Sequence, residues 1–194
     1  MIDRKAYNSI SYSISIVGSL QDGKYRGCVV NSLQQLTSSS PAKFAVTLNK
    51  YNLTEAAVEQ TGAFCATVAA ADCPHDIINL FGYKSGRITD KFAAYDTKTD
   101  DAGCPYITDG MCARLSFRVV QQVDLDSAVL FIAEVTEAEI LKDGGALTVD
   151  AFKNVGKEVP PNAPVCGYVH KSDTLPDNFR CPVCKQPASK FEKL

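Results

Sequence analysis

Histidine is scarce, with two in 194 residues, and no H-E-x-x-H, P-loop or G-x-G-x-x-G string occurs. That removes the usual starting points for zinc-hydrolase, nucleoside-triphosphatase and Rossmann-type chemistry. A surplus of one charge is missing too: 20 Lys and Arg stand against 22 Asp and Glu, a net charge of -2, with the signs mixed along the chain. Holding nucleic acid needs concentrated positive charge for the phosphates, so no nucleic-acid partner is expected. Charges interrupt every apolar stretch before it reaches the roughly 18–20 residues of a membrane-spanning helix, so no membrane partner is expected. The opening MIDRKAYNSISYSISIVGS lacks an apolar h-region and cleavage pattern, which makes a cytoplasmic protein the expectation. The carboxylates form no evident pair, and no internal repeat, heptad or low-complexity segment is visible.

Cysteine is plentiful and unevenly placed. Cys28, Cys65, Cys73, Cys104 and Cys112 are scattered, whereas Cys166, Cys181 and Cys184 crowd into the last 30 residues. In a reducing compartment the scattered five read as small buried apolar groups rather than bridges. The terminal three call for a metal: Cys181-Pro-Val-Cys184 has the short C-x2-C spacing that brings two thiolates to one tetrahedral ion, and Cys166 is followed by the glycine a tight knuckle favours. A paired first knuckle would need a cysteine at Ala163. His170 is the alternative fourth ligand by spacing, and a Cys3His set suits zinc better than a redox-active iron. A degenerate module with structural thiols is the other reading.

The first 157 residues read as strands. Ser9 to Ile16 alternates serine with Ile10, Tyr12, Ile14 and Ile16, the period of a half-buried strand. Asp22-Gly23 is a hairpin turn signal, with Tyr25 to Val30 as the returning strand and Lys43 to Leu48 as a third. Asn52 and Glu55 have the spacing of a capping box opening a helix over Thr54 to Gln60, which Gly62 ends. AFCATVA (63–69) reads as a buried strand. Asp72 is the expected cap of a second helix that Gly82 stops. The loop YKSGRITDKF carries four charges and is expected to be exposed. In CARLSFRV the alternation assigns Ala113, Leu115, Phe117 and Val119 to the core and Arg114, Ser116 and Arg118 to solvent; VLFIAEVTEAEIL repeats the pattern. The fold class is therefore mainly β, six or seven mostly antiparallel strands closing into a barrel with short helices. The expected organisation is a barrel over 1–157, a proline-stiffened linker EVPPNAP over 158–164, and a small metal module over 165–194.

The segments NSLQQLTSSSP, AVTLNKYNLT, TGAFCATV, FGYKSGRITDKF and LFIAEVTEAEI, in that order, resemble the flavin reductase-like family, whose fold is an FMN-binding split barrel. The terminal Cys166-Gly-Tyr-Val-His170, Leu175-Pro-Asp-Asn-Phe179, Cys181-Pro-Val-Cys184 and Phe191-Glu192 resemble rubredoxin and the rubredoxin-like domain of rubrerythrins. The combination is similar to the high-molecular-weight rubredoxins. These resemblances imply a homodimer that binds FMN, with Asn31, Ser32, Leu33 and Gln35 near the isoalloxazine ring. They imply Leu48, Asn49 and Lys50 at the pocket floor, and Asn52, Thr54, Ser85 and Lys91 toward the ribityl chain and phosphate. They carry over Cys166, Cys181 and Cys184 as iron ligands, and leave the fourth ligand open.

The implied function is an FMN-dependent oxidoreductase or electron-transfer protein with no catalytic side chain of its own. Electrons would come from NAD(P)H or a protein donor and leave for a metal centre or a flavodiiron or other redox protein. The family's nicotinamide-using members have a histidine before the strand VLFIAEV; Asp126-Ser127-Ala128 stands there here. The alternatives are an NAD(P)H-dependent flavin reductase and a flavin-binding protein whose terminal zinc ribbon docks a partner.

Overall fold

A computed structural model describes residues 2–155, 175–176, 178–181 and 187–190. Nine strands make a seven-stranded sheet and a separate two-stranded hairpin. In the large sheet the order is β2 (Lys24–Val30), β1 (Ser15–Gln21), β5 (Ala63–Ala69), β8 (Met111–Asp124), β9 (Ala128–Ile140), β4 (Lys43–Asn49) and β3 (Gln34–Gln35). Every printed neighbour pair is antiparallel. The β1–β2 hairpin closes on Asp22 and Gly23, at φ 49° and 73°, the left-handed pair that matches strand twist. The sheet curls until β2 meets β4, and Ser32 latches that seam. Its Oγ donates to the Thr47 carbonyl at 3.0 Å and accepts the Thr47 N–H at 3.1 Å.

Two apolar clusters result. Val17, Val46, Leu48, Val58, Phe64, Phe117 and Phe131 fill the barrel, with α1 (Leu53–Thr61) closing one end. Ile14, Ile16, Ile77, Phe81, Phe92 and Met111 form a second layer outside it, beneath α2 (His75–Tyr83). The hairpin of β6 (Thr97–Thr99) and β7 (Pro105–Ile107) lies on the outer face, and α3 (Val149–Val155) follows the last strand. The barrel wall therefore buries both faces of β1, whose Ser15 to Ser19 are all inaccessible.

Gly18 and Gly27 face one another across β1–β2, and here the absence of a side chain matters. A Cβ on Gly18 would overlap the Pro105 carbonyl oxygen, and one on Gly27 would come within 2.7 Å of the Phe92 ring. Phe92 and the start of β7 thus rest on bare backbone.

Several expectations are corrected. Residues 9–14 do not belong to a strand: Arg4–Ser9 is a short 3-10 helix, and β1 begins at Ser15, where Val30 and Val68 first offer partners on both sides. Ile10 and Tyr12 are exposed. Asn52 precedes α1 but makes no side-chain capping bond, so the capping box does not form. Pro74, not Asp72, precedes α2; the Asp72 carboxylate pairs with Lys142 instead. Gly82 lies inside α2, which runs one residue further. Arg114 and Ser116, assigned to solvent by alternation, are buried because the β6–β7 hairpin covers their face. There Arg114 pairs with Glu137 at 2.8 Å and Glu139 at 3.3 Å, with its guanidinium 4.9 Å from the Tyr106 ring centre. All five scattered cysteines are buried and unbridged.

Candidate functional site

The end of β2, the end of β4, the start of α1 and the loop after α2 surround a cavity of about 210 Å3. Its apolar wall includes Val30, Leu48 and Phe81; its amides are Asn31, Asn49 and Asn52; its cations are Lys84, Arg87 and Lys91. No carboxylate lines it. A smaller chamber of about 10 Å3 adjoins it, sharing Asn52, Leu53, Gly86 and Lys91 and adding Arg26, Thr54 and Thr89.

Lys91 is the central charge. It is 6% exposed, yet its Nζ donates only to main-chain carbonyls, Gly27 at 3.0 Å and Phe81 at 2.8 Å. It therefore ties the β2 wall to α2. Burial pulls its pKa below the ordinary lysine range, partly opposed by the nearby Cys28. Asp90, beside it in sequence, turns its carboxylate to the Phe92 and Ala93 N–H groups. A buried cation with no acidic partner among the described residues, facing a polar cavity, is suited to an anion.

The other cations are arranged similarly. Arg26 donates to the Gly86 carbonyl at 3.1 Å, and its Nε is buried without a partner. Arg87 donates to the Tyr51 carbonyl at 3.1 Å; burial, and then the neighbouring Arg26 charge, lower its pKa. Cys28 lies in the cavity wall, where burial pushes its thiol pKa up against a hydrogen bond from Thr54. It stays protonated and is a poor nucleophile.

The residues picked out from sequence separate into groups. Asn31, Ser32, Leu48, Asn49, Asn52, Ser85 and Lys91 line the cavity, and Thr54 lines the adjoining chamber. The Ser32 hydroxyl is committed to the seam, and Asn49 accepts the Tyr51 N–H at 2.9 Å. Ser85 accepts the Arg87 N–H at 3.3 Å. Asn52, relieved of a capping bond, keeps its amide for the cavity. Leu33 instead packs against the barrel core, Gln35 is exposed and donates to the Thr37 carbonyl, and Lys50 pairs with Asp124 at 2.6 Å. Lys84, Arg26 and Cys28 were missed; their only sequence signal was proximity to the chosen segments.

Of the metal-ligand set, Cys181 is buried, whereas Cys166, Cys184 and His170 fall outside the described residues. Among the described residues no group of three His, Cys, Asp or Glu could hold a metal ion. No helix among them is long and apolar enough to cross a membrane.

Comparison with known proteins fits this geometry. The model for the flavin reductase like domain matches residues 7–156, and that for the rubrerythrin, rubredoxin-like domain matches residues 164–192. The chain is 29% identical to the high molecular weight rubredoxin of Moorella thermoacetica over 230 aligned positions, covering 100% of both. It is 37% identical to the ferric-chelate reductase (NAD(P)H) of Archaeoglobus fulgidus, over 82% of this chain and 94% of that one. Among solved structures, flavoredoxin from Methanosarcina acetivorans shares the fold at a TM-score of 0.64 and 18% identity, over 72% of this chain and 74% of that one. BorF, the flavin reductase component of a bacterial two-component tryptophan halogenase, does so at 0.66 and 18%, over 77% and 92%. Matched over most of its length, the chain belongs to the flavin reductase-like family, as a flavin-dependent oxidoreductase that carries a rubredoxin-like domain and mediates electron transfer.

Proposed function

We propose that the flavin is FMN, held in the cavity between β2, β4 and the loop after α2, and that electrons pass from it to an iron held by Cys166, Cys181 and Cys184. The observation that carries this is Lys91, a buried cation whose surroundings supply no carboxylate. In this reading Lys91, with Asn52, Thr54 and Ser85, receives the phosphate, whose charge is about -1.5 to -2 at neutral pH. Asn31 and Asn49 offer donors and acceptors to the ring edge. Val30, Leu48 and Phe81 keep water from its face. The bound flavin supplies the chemistry, accepting a hydride or two electrons and releasing them singly. The protonated Cys28 thiol takes no covalent part.

The donor in this reading is NAD(P)H, delivered to the open side of the cavity, and the final acceptor is a second redox protein. The protein is a cytoplasmic homodimer. Support for the dimer comes from β8: its pairing with β5 ends at Arg118, leaving residues 119–124 with a free edge, and Val120, Val123 and Leu125 beside it are exposed. An unpaired apolar edge of this kind is ordinarily covered.

The test is a visible spectrum of protein purified without oxygen, before and after NADH or NADPH, with metal analysis and identification of the released flavin. FMN with equimolar iron, both bleached by the nicotinamide, is expected. FMN with zinc or no metal would reduce the chain to a one-centre flavoprotein, and release of FAD alone would overturn the FMN assignment.

A further inference from the structure

The cations around the cavity outnumber the charge of one phosphate. Arg26, Lys84, Arg87 and Lys91 bring four positive charges to two adjoining chambers whose linings contain no carboxylate. None of the four makes an ion pair among the described residues. A single phosphomonoester supplies at most about two negative charges, so about two positive charges are left over in the same small volume. Like charges gathered without counter-ions repel one another, and Arg87 registers that repulsion from Arg26.

The four are not equivalent. Lys91 is sequestered at the back by two carbonyls. Lys84 and Arg87 stand at the mouth, both exposed, on either side of the Ser85–Gly86 turn. Arg87 is fixed there through the Tyr51 carbonyl, and Arg26 supports the turn from behind through the Gly86 carbonyl. Each guanidinium is thus held by one N–H while others remain free, and the Nε of Arg26 has no partner at all. Orienting a guanidinium through a carbonyl leaves its fork available for a phosphate.

We propose that Lys84 and Arg87, supported by Arg26, form a second anion subsite at the cavity mouth that takes a second phosphate group, one belonging to a dinucleotide. This rests on the reading of Lys91 as the inner phosphate site. Two sources share the chemistry: the phosphates of a nicotinamide dinucleotide arriving as donor, and the adenylate phosphate of FAD in place of FMN. The subsite makes Arg87 a specificity-determining residue that discriminates dinucleotides from mononucleotides.

The test uses the full-length protein and Arg87→Gln, a change at an exposed side chain. FMN and FAD are titrated into flavin-stripped protein, and NADP+ and NAD+ into FMN-loaded protein, at low and high salt. The expected result is a roughly tenfold weaker dissociation constant for at least one dinucleotide in the variant, a matching loss of its salt dependence, and FMN affinity within twofold of the parent. Selective loss for NADP+ or for both nicotinamides identifies the donor as the source; selective loss for FAD identifies the flavin. If FMN weakens as much as the dinucleotides, Arg87 belongs to a single phosphate site and the proposal is wrong. It is equally overturned if no ligand is affected. Failure of the parent protein to bind FMN would instead remove the inner-site reading, which the first titration decides separately.

Discussion

Lys91 holds its charge against the cost of burial because two carbonyls and an acid-free cavity leave it no other partner. As its pKa is lowered, the cation is lost as pH rises through a value below the 10.5 of a free lysine. Flavin held by this charge is therefore expected to dissociate on the alkaline side before ordinary lysines titrate, as ultrafiltration across a pH series would reveal. Lys91→Met should weaken flavin at least tenfold and abolish that pH dependence; unchanged retention would remove Lys91 from the site. Arg114 behaves oppositely. Burial pulls its pKa down, but the hydrogen bond to Glu137 outweighs this and raises it. The same bond lowers the pKa of Glu137, so the pair's stabilisation is present above the unfolded glutamate value of about 4.5 and is lost as pH falls through the lower folded value. Glu137→Gln should cost about 1–3 kcal/mol at neutral pH and less in acid, measured by urea unfolding at each pH. Neither environment was legible in the sequence. Alternation assigned Arg114 to solvent, and the charged loop around Lys91 looked exposed, because period and composition describe a segment without what later packs on it.

At the scale of elements, residues with sequence-adjacent partners were the readable ones. The Asp22-Gly23 turn sets the β1–β2 register by itself, and the runs that became β2, β4 and β5 are bounded by their own turn residues. The β6–β7 hairpin was not foreseen, since its strands are three residues each and show no alternation. It is held by what it lies upon, above all Gly18 and Gly27. Gly18→Ala should destabilise the protein by about 1–3 kcal/mol, because the backbone carbonyl of Pro105 has no alternative position. Gly27→Ala should cost a similar amount by displacing Phe92, and should weaken flavin as well, since Lys91 is its neighbour. Thermal unfolding with and without added FMN separates the two: the stabilisation by FMN should shrink in Gly27→Ala and persist in Gly18→Ala.

For the whole molecule, the family and its two-module layout could be read from ordered motifs, while the cation excess at the cavity required the fold. Lys84, Arg26 and Lys91 are far apart in sequence and are gathered only when the sheet curls and Ser32 closes the seam. Assembly is decided by another edge. Val123→Asp on the free stretch of β8 should convert a dimer to monomer in sedimentation velocity; a parent that is already monomeric would remove the homodimer reading. The same fold also couples distant parts of one chain. Phe92 rests on the Cα of Gly27, while Lys91, the residue before it, reaches the carbonyl of that same glycine. The outer hairpin and the buried cation consequently share one peptide as their seat, so local opening of one withdraws the other. Ligand held at Lys91 should therefore slow amide hydrogen exchange at Tyr95 and along Pro105–Ile107, residues outside the cavity, and the degree of occupancy should be readable from the back of the barrel.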